Sequence, residues 1–203
     1  VDYHLSALEK LGAKITLKSG YILAEAKKLK GNNISFEYPS VGATGNILMA
    51  ATTAIGITKI ENAAREPEIV QLCEFLNLMG ANISGIGTHR LIIEGVGSLK
   101  PADITVIPDR IEAGTFLVAG ASLGEITLNH IIPDHLESIT SKLIESGCQI
   151  KLNDRSMTIS PTDSIKSIDM TTDVYPGFAT DLQAQWIASV SYTHLTLPTI
   201  SCV

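Results

Sequence analysis

Aromatic side chains are scarce in this 203-residue chain: Phe, Tyr and Trp together make up 5% of it, with a single Trp. Because hydrophobic residues still amount to 45%, the core has to be built from aliphatic and small side chains, as in layered α/β proteins. Cysteine is equally sparse. Cys73, Cys148 and Cys202 are an odd number without metal-ligand spacing, which argues against a disulfide framework or a zinc site and fits a reducing, cytoplasmic setting. Cys73 falls on an apolar helical stripe and Cys148 replaces a small residue, so both are read as core. The five histidines, His4, His89, His130, His135 and His194, show no ligand spacing either and are read as surface or supporting residues.

Positive charge is in the minority. Fifteen Lys and Arg against 21 Asp and Glu give a net charge of −6, the wrong sign for general nucleic-acid binding, which needs clustered cations on the phosphates. No run of about 18 apolar residues is present to span a bilayer, and no basic-then-apolar leader opens the sequence. A P-loop and a Ser-His-Asp constellation are also missing.

What the sequence does contain is repetition. A helix-like stretch ending Leu, three residues, Gly, a small residue, one more and Ile occurs as Leu8 to Ile15, Leu76 to Ile83 and Leu143 to Ile150. The glycines Gly12, Gly80 and Gly147 stand 68 and 67 residues apart, so the fold is expected to be assembled from copies of one α/β unit of about 67 residues. Glycine suits the left-handed position after a helix, and the following Ile opens a strand. Tyr21 to Ala26, Arg90 to Gly95 and Ser156 to Ser160 sit at the next strand position of each copy.

Two kinds of helix alternate. Pro67 to Met79 is amphipathic with Pro at its first turn, and Asp134 to Ser146 matches it, with Asp134 and Glu137 spaced as a capping box. Asn46 to Ile55 and Gly114 to Ala121 are apolar nearly all round, which predicts buried helices inside and sheets outside. With the alternating stretches Gly56 to Glu61 and Gly124 to Asn129, each unit reads strand, buried helix, strand, exposed helix, strand, strand. A turn-rich stretch from Gly97 to Asp103 predicts a domain junction before Asp109, dividing the chain into 1–106 and 107–188.

Three helix starts carry chemistry. Ser40-Val41-Gly42-Ala43-Thr44-Gly45-Asn46 offers free N–H groups for an anion such as a pyrophosphate, or alternatively a cap with tight packing. Asp109-Arg110-Ile111-Glu112 opens the second apolar helix, as a site or as a cap and ion pair. Thr180-Asp181-Leu182-Gln183 opens a third copy; Thr180 and Gln183 fit a capping box, and Asp181 at the positive end of a helix could take a proton from a hydroxyl. Arg65-Glu66-Pro67-Glu68 marks another helix start and is read as solvated charge.

Taken together, Val1 to Leu5, Ser40 to Thr44, Asn62 to Glu68, Pro108 to Phe116 and Phe178 to Gln185 resemble, in order and over about residues 1 to 188, the UDP-N-acetylglucosamine 1-carboxyvinyltransferase (enolpyruvyl transferase) family of the EPSP synthase-like superfamily. The resemblance implies an inside-out α/β barrel of two domains and six related units with a cleft between the domains, of which this chain is the middle part. It implies transfer of enolpyruvyl from phosphoenolpyruvate to the 3-hydroxyl of UDP-N-acetylglucosamine with release of phosphate. That reaction is the first committed step of bacterial peptidoglycan synthesis and is tied to cell shape and division. No metal and no organic cofactor is implied, and neither a membrane nor a nucleic acid is an expected partner.

Carried over by position, Val1, Asp2 and Tyr3 fall at the uridine, with Tyr3 in place of the usual Leu. Ser40, Val41 and Gly42 fall at the diphosphate, and Asp181 at the sugar hydroxyl as its base. Glu68, Asp109, Arg110 and Thr180 are weaker members. The family's reactive Cys loop and its phosphoenolpyruvate-binding Arg are absent from this sequence, so the isolated chain is expected to need missing parts of its own fold and to be inactive alone. Residues 189–203 depart from the family and are expected to be a poorly packed, non-native tail. The sister enzyme acting on shikimate 3-phosphate, and a noncatalytic nucleotide-sugar binder, are the competing readings.

Overall fold

A computed structural model of the chain describes residues 1–162 and 165–194. It divides into two compact units, Val1–Val106 and Ile107–Val203.

The first unit runs α1 (Asp2–Lys10), β1 (Lys14–Lys18), β2 (Tyr21–Glu25), β3 (Asn33–Ser35), α2 (Val41–Ala51), β4 (Ile57–Glu61), α3 (Pro67–Leu78), β5 (Asn82–Ser84) and β6 (Arg90–Glu94). Strands β1 and β2 form an antiparallel hairpin, and the other four make a sheet of order β3-β4-β6-β5 with β3 and β4 parallel. Alternation along these strands separates the two faces of that sheet. Ile34, Ile60, Leu91, Ile93 and Ile83 point into a core shared with Ile47, Leu48 and Ala51 of α2 and Ile69, Cys73 and Leu76 of α3, while Asn33, Lys59 and Arg90 face solvent. On the solvent side Glu61 and Arg90, paired across β4 and β6, form an ion pair of 2.7 Å.

The second unit runs α4 (Arg110–Leu123), β7 (Ile126–Asn129), α5 (Glu137–Glu145), β8 (Gln149–Asn153), β9 (Ser156–Ser160) and α6 (Gln183–His194), with a sheet of order β7-β9-β8. Its core joins Leu117, Val118 and Ala121 of α4 to Ile139 and Leu143 of α5, to Met157 and Ile159 of β9, and to Phe178, Leu182 and Trp186. Gly12, Gly80 and Gly147 all have the positive φ, between 95° and 105°, that their place after a helix requires.

Several sequence expectations change. The apolar helices are buried on one side only: Met49 of α2 and Phe116 of α4 are each about half exposed, because the sheet of each unit covers a single face. Helix α2 starts at Val41 rather than Asn46 and ends at Ala51; Ile55 beyond it makes a lone bridge to Lys30. The expected strand ahead of α4 does not form, and Pro101 and Pro108, which lack an N–H to donate, lie in that stretch. The Asp134–Glu137 capping box is not made: Pro133–Leu136 forms a 3₁₀ turn without a side-chain cap, and α5 follows it. Thr180–Leu182 is likewise a 3₁₀ turn whose cap position is Ala179, again without a side-chain cap. The poor packing expected from position 189 onward is not found at Ser189 itself. Helix α6 runs through it, and buried Ser189 accepts a hydrogen bond of 2.9 Å from Ser122 of α4. Residues 195–203, with Cys202, and the side chain of His194 lie outside the described residues.

Candidate functional site

Helix α2 begins at a serine in extended conformation, φ −118° and ψ 116°, whose Oγ accepts from the Ala43 N–H at 3.3 Å. The cap is therefore real, yet it uses only one donor of the first turn. The N–H groups of Val41 and Gly42 have no partner within the helix, and both residues are exposed at its positive end. One turn further on, the buried hydroxyl of Thr44 accepts from the Ala64 N–H at 3.1 Å and ties α2 to the segment that leads into α3.

Helix α1 meets this helix start. His4 bonds through Nδ1 to the amide nitrogen of Asn46 at 2.6 Å, and its ring lies against Gly42, where a Cβ would stand 3.2 Å from Cε1. Tyr3 packs on Phe36 with ring centroids 5.7 Å apart. Val1, Asp2 and Tyr3 are thereby held beside Ser40, Val41 and Gly42, although 36 residues lie between the two segments. Of the two roles read from sequence, surface or supporting, His4 takes the supporting one: in sequence it is one histidine among five, and the packing of α1 on α2 assigns it.

At the start of α3 the charges divide. Glu68 is exposed, whereas Glu66 is 8% exposed and its Oε2 is buried without a hydrogen-bond partner. The expectation of solvated charge holds for the first and not for the second, because Pro67 starts the helix and turns Glu66 into the capping position.

In the second unit Asp109 caps α4, its Oδ1 accepting from Ile111 N at 2.7 Å and Glu112 N at 3.2 Å. Arg110 lies over the ring of Tyr175 at 5.5 Å from its centroid, a cation–π distance. Helices α4 and α6 run side by side in the same direction. Leu182 sits where a Cβ on Gly114 would be, at 2.8 Å, and Gln185 Nε2 donates to Thr115 Oγ1 at 3.0 Å. Ser189 meets Ser122 one to two turns on. This arrangement puts the amino ends of α4 and α6 next to each other, with Asp109 and Arg110 at one and Thr180 and Asp181 at the other. Asp181 is exposed in the 3₁₀ turn. A cleft of about 290 Å³ opens beside the first turn of α4, lined by Asp109, Glu112, Phe116 and His130 among others; Glu112 belongs to the helix start already marked in the sequence, whereas His130 was read there only as a surface or supporting residue.

Both thiols among the described residues, Cys73 and Cys148, are buried. Desolvation, followed by the nearby Glu74 carboxylate, pushes Cys73 up to about 11, and burial raises Cys148 against the smaller opposing effect of its Ser146 contact. Neither is a nucleophile at neutral pH. Among the described residues no three His, Cys, Asp or Glu are grouped to hold a metal, and no helix is long and apolar enough to cross a membrane.

The enolpyruvyl transferase NikO from Streptomyces tendae superposes with a TM-score of 0.81 at 21% identity, over 95% of this chain and 49% of that one. An EPSP synthase from Acinetobacter baumannii does so at 0.59 and 20% identity, over 84% of this chain and 41% of that one. The fold is that of the enolpyruvyl transferases. The sequence profile of EPSP synthase (3-phosphoshikimate 1-carboxyvinyltransferase) matches residues 1–195, and the chain belongs to that family. Within it, a UDP-N-acetylglucosamine 1-carboxyvinyltransferase from Helicobacter pylori is 53% identical over 93% of this chain and 46% of its own length. Its counterpart from Caldanaerobacter subterraneus is 51% identical over 94% and 46%. The chain spans about half the length of the curated relatives it matches.

Proposed function

We propose that this chain is part of an enolpyruvyl transferase that moves the enolpyruvyl group of phosphoenolpyruvate onto the 3-hydroxyl of UDP-N-acetylglucosamine with release of phosphate, in the cytoplasmic synthesis of peptidoglycan. The observation that carries the reading is the contrast in similarity. Relatives bearing that activity in their names are about half identical over more than nine tenths of the chain, against 20% for a solved EPSP synthase.

The proposed roles follow the chemistry of each helix start. Exposed N–H groups of Val41 and Gly42, with the Ser40 hydroxyl, bind the nucleotide diphosphate at the positive end of α2. Val1, Asp2 and Tyr3, held beside them through His4, contact the uridine. In the transfer a bond forms between the sugar oxygen and the enolpyruvyl carbon, the bond from that carbon to the phosphate oxygen breaks, and the hydroxyl proton passes to the Asp181 carboxylate. A positioned base contributes roughly 10²- to 10⁴-fold. Asp109 serves as the cap of α4 and Arg110 as its link to Tyr175, so both hold the α4 end in place; Glu68 and Thr180 are accessory. Residues 1–106 are the later part of the first repeat domain of an inside-out barrel, and 107–188 begin the second. Further segments of the longer protein complete the site.

Calorimetry with the chain and each acceptor tests this. UDP-N-acetylglucosamine should bind and shikimate 3-phosphate should not, and with phosphoenolpyruvate present no phosphate should appear. Binding of shikimate 3-phosphate alone would transfer the assignment to the sister reaction, and phosphate release by this chain would refute the need for further segments.

A further inference from the structure

The net charge of −6 is not spread evenly over the chain. Between positions 10 and 30 stand Lys10, Lys14, Lys18, Lys27, Lys28 and Lys30 with a single carboxylate, Glu25, so this stretch carries +5, whereas elsewhere nine cations stand against 20 carboxylates. All six lysines are exposed, and none makes an ion pair among the described residues. They gather around the β1–β2 hairpin. Ser19 and Gly20, with φ of 50° and 82°, close it as a two-residue turn next to Lys18. Leu11 O accepts from Lys30 N–H at 2.8 Å and Lys10 O from the Asn32 side-chain amide at 2.8 Å. These bonds fold the segment behind β2 back onto the end of α1 and set Lys10 and Lys30 at the base of the hairpin.

One face of the hairpin joins this charge to apolar surface. Alternation puts Lys14, Thr16 and Lys18 of β1 on the same face as their cross-strand partners Glu25, Leu23 and Tyr21 of β2. There Tyr21, opposite Lys18, is 71% exposed and Leu23 is 45% exposed. The same positions in the other two sheets, counted from Gly12, Gly80 and Gly147, are filled differently. Asn82 and Ser84 stand opposite Glu94 and Ile92 in the first unit, and Gln149, Lys151 and Asn153 opposite Ser160, Thr158 and Ser156 in the second. The repeat therefore demands no surface of Lys, Tyr and Leu at this face, since two sheets of the same register are built without one.

We infer that this face of the hairpin, with the lysines at its base, docks the protein on a bilayer surface rich in anionic headgroups. Three features favour lipid over other polyanions. Every cation of the stretch is Lys, a point charge on a flexible stem, and none is Arg, whose planar fork serves bidentate phosphate and nucleic-acid recognition. A single Tyr offers no succession of rings on which bases could stack. Tyr21 and Leu23 beside ammonium groups match instead the layering of a headgroup region, where an amphipathic ring sits at the interface and lysines extend to the phosphates. Each lysine near an anionic surface strengthens attachment about fivefold, and the binding is peripheral, reversible and weakened by salt. The inference is independent of the proposed reaction, which uses none of these residues.

Co-sedimentation of the full chain with vesicles tests it. The chain should pellet with vesicles of phosphatidylglycerol and phosphatidylcholine in equal parts and stay in solution with phosphatidylcholine alone, and raising the salt from about 0.1 M to about 1 M should release it. Lys14→Gln, Lys18→Gln, Lys27→Gln and Lys28→Gln combined should weaken binding at least about 100-fold, whereas Lys14→Arg, Lys18→Arg, Lys27→Arg and Lys28→Arg combined should keep it. Lys59→Gln with Lys151→Gln, on the other two sheets, should change it by less than about twofold. Tyr21→Ser should weaken it at least about threefold with the charge unchanged, and Leu17→Ser, on the opposite face, less than about twofold. No attachment to the anionic vesicles, equal attachment to both kinds, or a Leu17→Ser loss as large as that of Tyr21→Ser would overturn the inference. So would tighter binding to oligouridylate or polyglutamate than to the vesicles at the same salt, because an RNA or an acidic protein would then be the occupant.

Discussion

Truncating Asp109 separates a cap from a group held for chemistry, and its cost can be worked from two hydrogen bonds. Oδ1 accepts from Ile111 N at 2.7 Å and Glu112 N at 3.2 Å, so Asp109→Ala leaves both donors at the start of α4 to water. Loss of such a cap costs about 1 kcal/mol and up to about 2. The carboxylate charge at the positive helix end adds about 0.3–1 kcal/mol at an exposed position. Asp109→Asn keeps the acceptor and loses only the charge, so it should cost about 0.5 kcal/mol against about 1–2 for Ala. For a unit of roughly 100 residues, 1 kcal/mol corresponds to about 4–8 °C in melting temperature. The assay has a built-in reporter. Trp186, the single Trp of the chain, is buried edge-on against Phe178 in the second unit, with ring centroids 5.9 Å apart, so its fluorescence follows unfolding of that unit. An Asn variant as damaged as the Ala variant, or an Ala variant as stable as the parent, would refute the cap as the structural role of Asp109.

Three other expectations follow from buried contacts. Thr44→Val removes the acceptor of the buried Ala64 N–H and should cost about 1–3 kcal/mol in urea unfolding, with Thr44→Ser restoring most of it. Gly114→Ala gains up to about 1 kcal/mol of helix propensity but places a Cβ 2.8 Å from a Leu182 methyl; stability should stay within about 1 kcal/mol, while hydrogen exchange over Thr180–Leu182, the turn carrying Asp181, should quicken. The Cys73 thiol is raised in the fold, mainly by desolvation, from 9.0 to about 11. Its neutral form therefore stabilises the protein fully below pH 9, and on the order of 2–3 kcal/mol is lost as the pH rises from 9 through 11. Cys73→Ala should flatten that alkaline loss, and iodoacetamide should leave Cys73 unmodified in the native protein at pH 7.

The repeat was legible because each copy obeys the same local rules. A glycine after a helix, a β-branched residue after the glycine and alternation along the strand are enforced within a few residues, so they survive in the pattern of the chain. The amphipathic helix Pro67–Leu78 and the strands Tyr21–Glu25, Arg90–Glu94 and Ser156–Ser160 were therefore predictable nearly to the residue. The caps at Ser40 and Asp109 were legible for the same reason, since a capping residue stands ahead of each apolar helix.

Side-chain use at those starts was decided by residues far apart in sequence. Spacing predicted capping boxes at Asp134 and Thr180, but 3₁₀ turns open both segments, and the polar tie at the second is made by Gln185 to Thr115, 70 positions away. His4 acquires a role only because α1 lies on α2 and Gly42 leaves room for its ring. Glu66 and Glu68 read alike in the chain, and the first is buried while the second is exposed only because Pro67 begins the helix between them. Sequence by itself determined which segments are helix, strand and turn, because those choices are governed by neighbours along the backbone. Tertiary structure alone decided which helix ends meet and which polar atoms are spent holding them, because such contacts depend on the packing of elements whose separation no local pattern records.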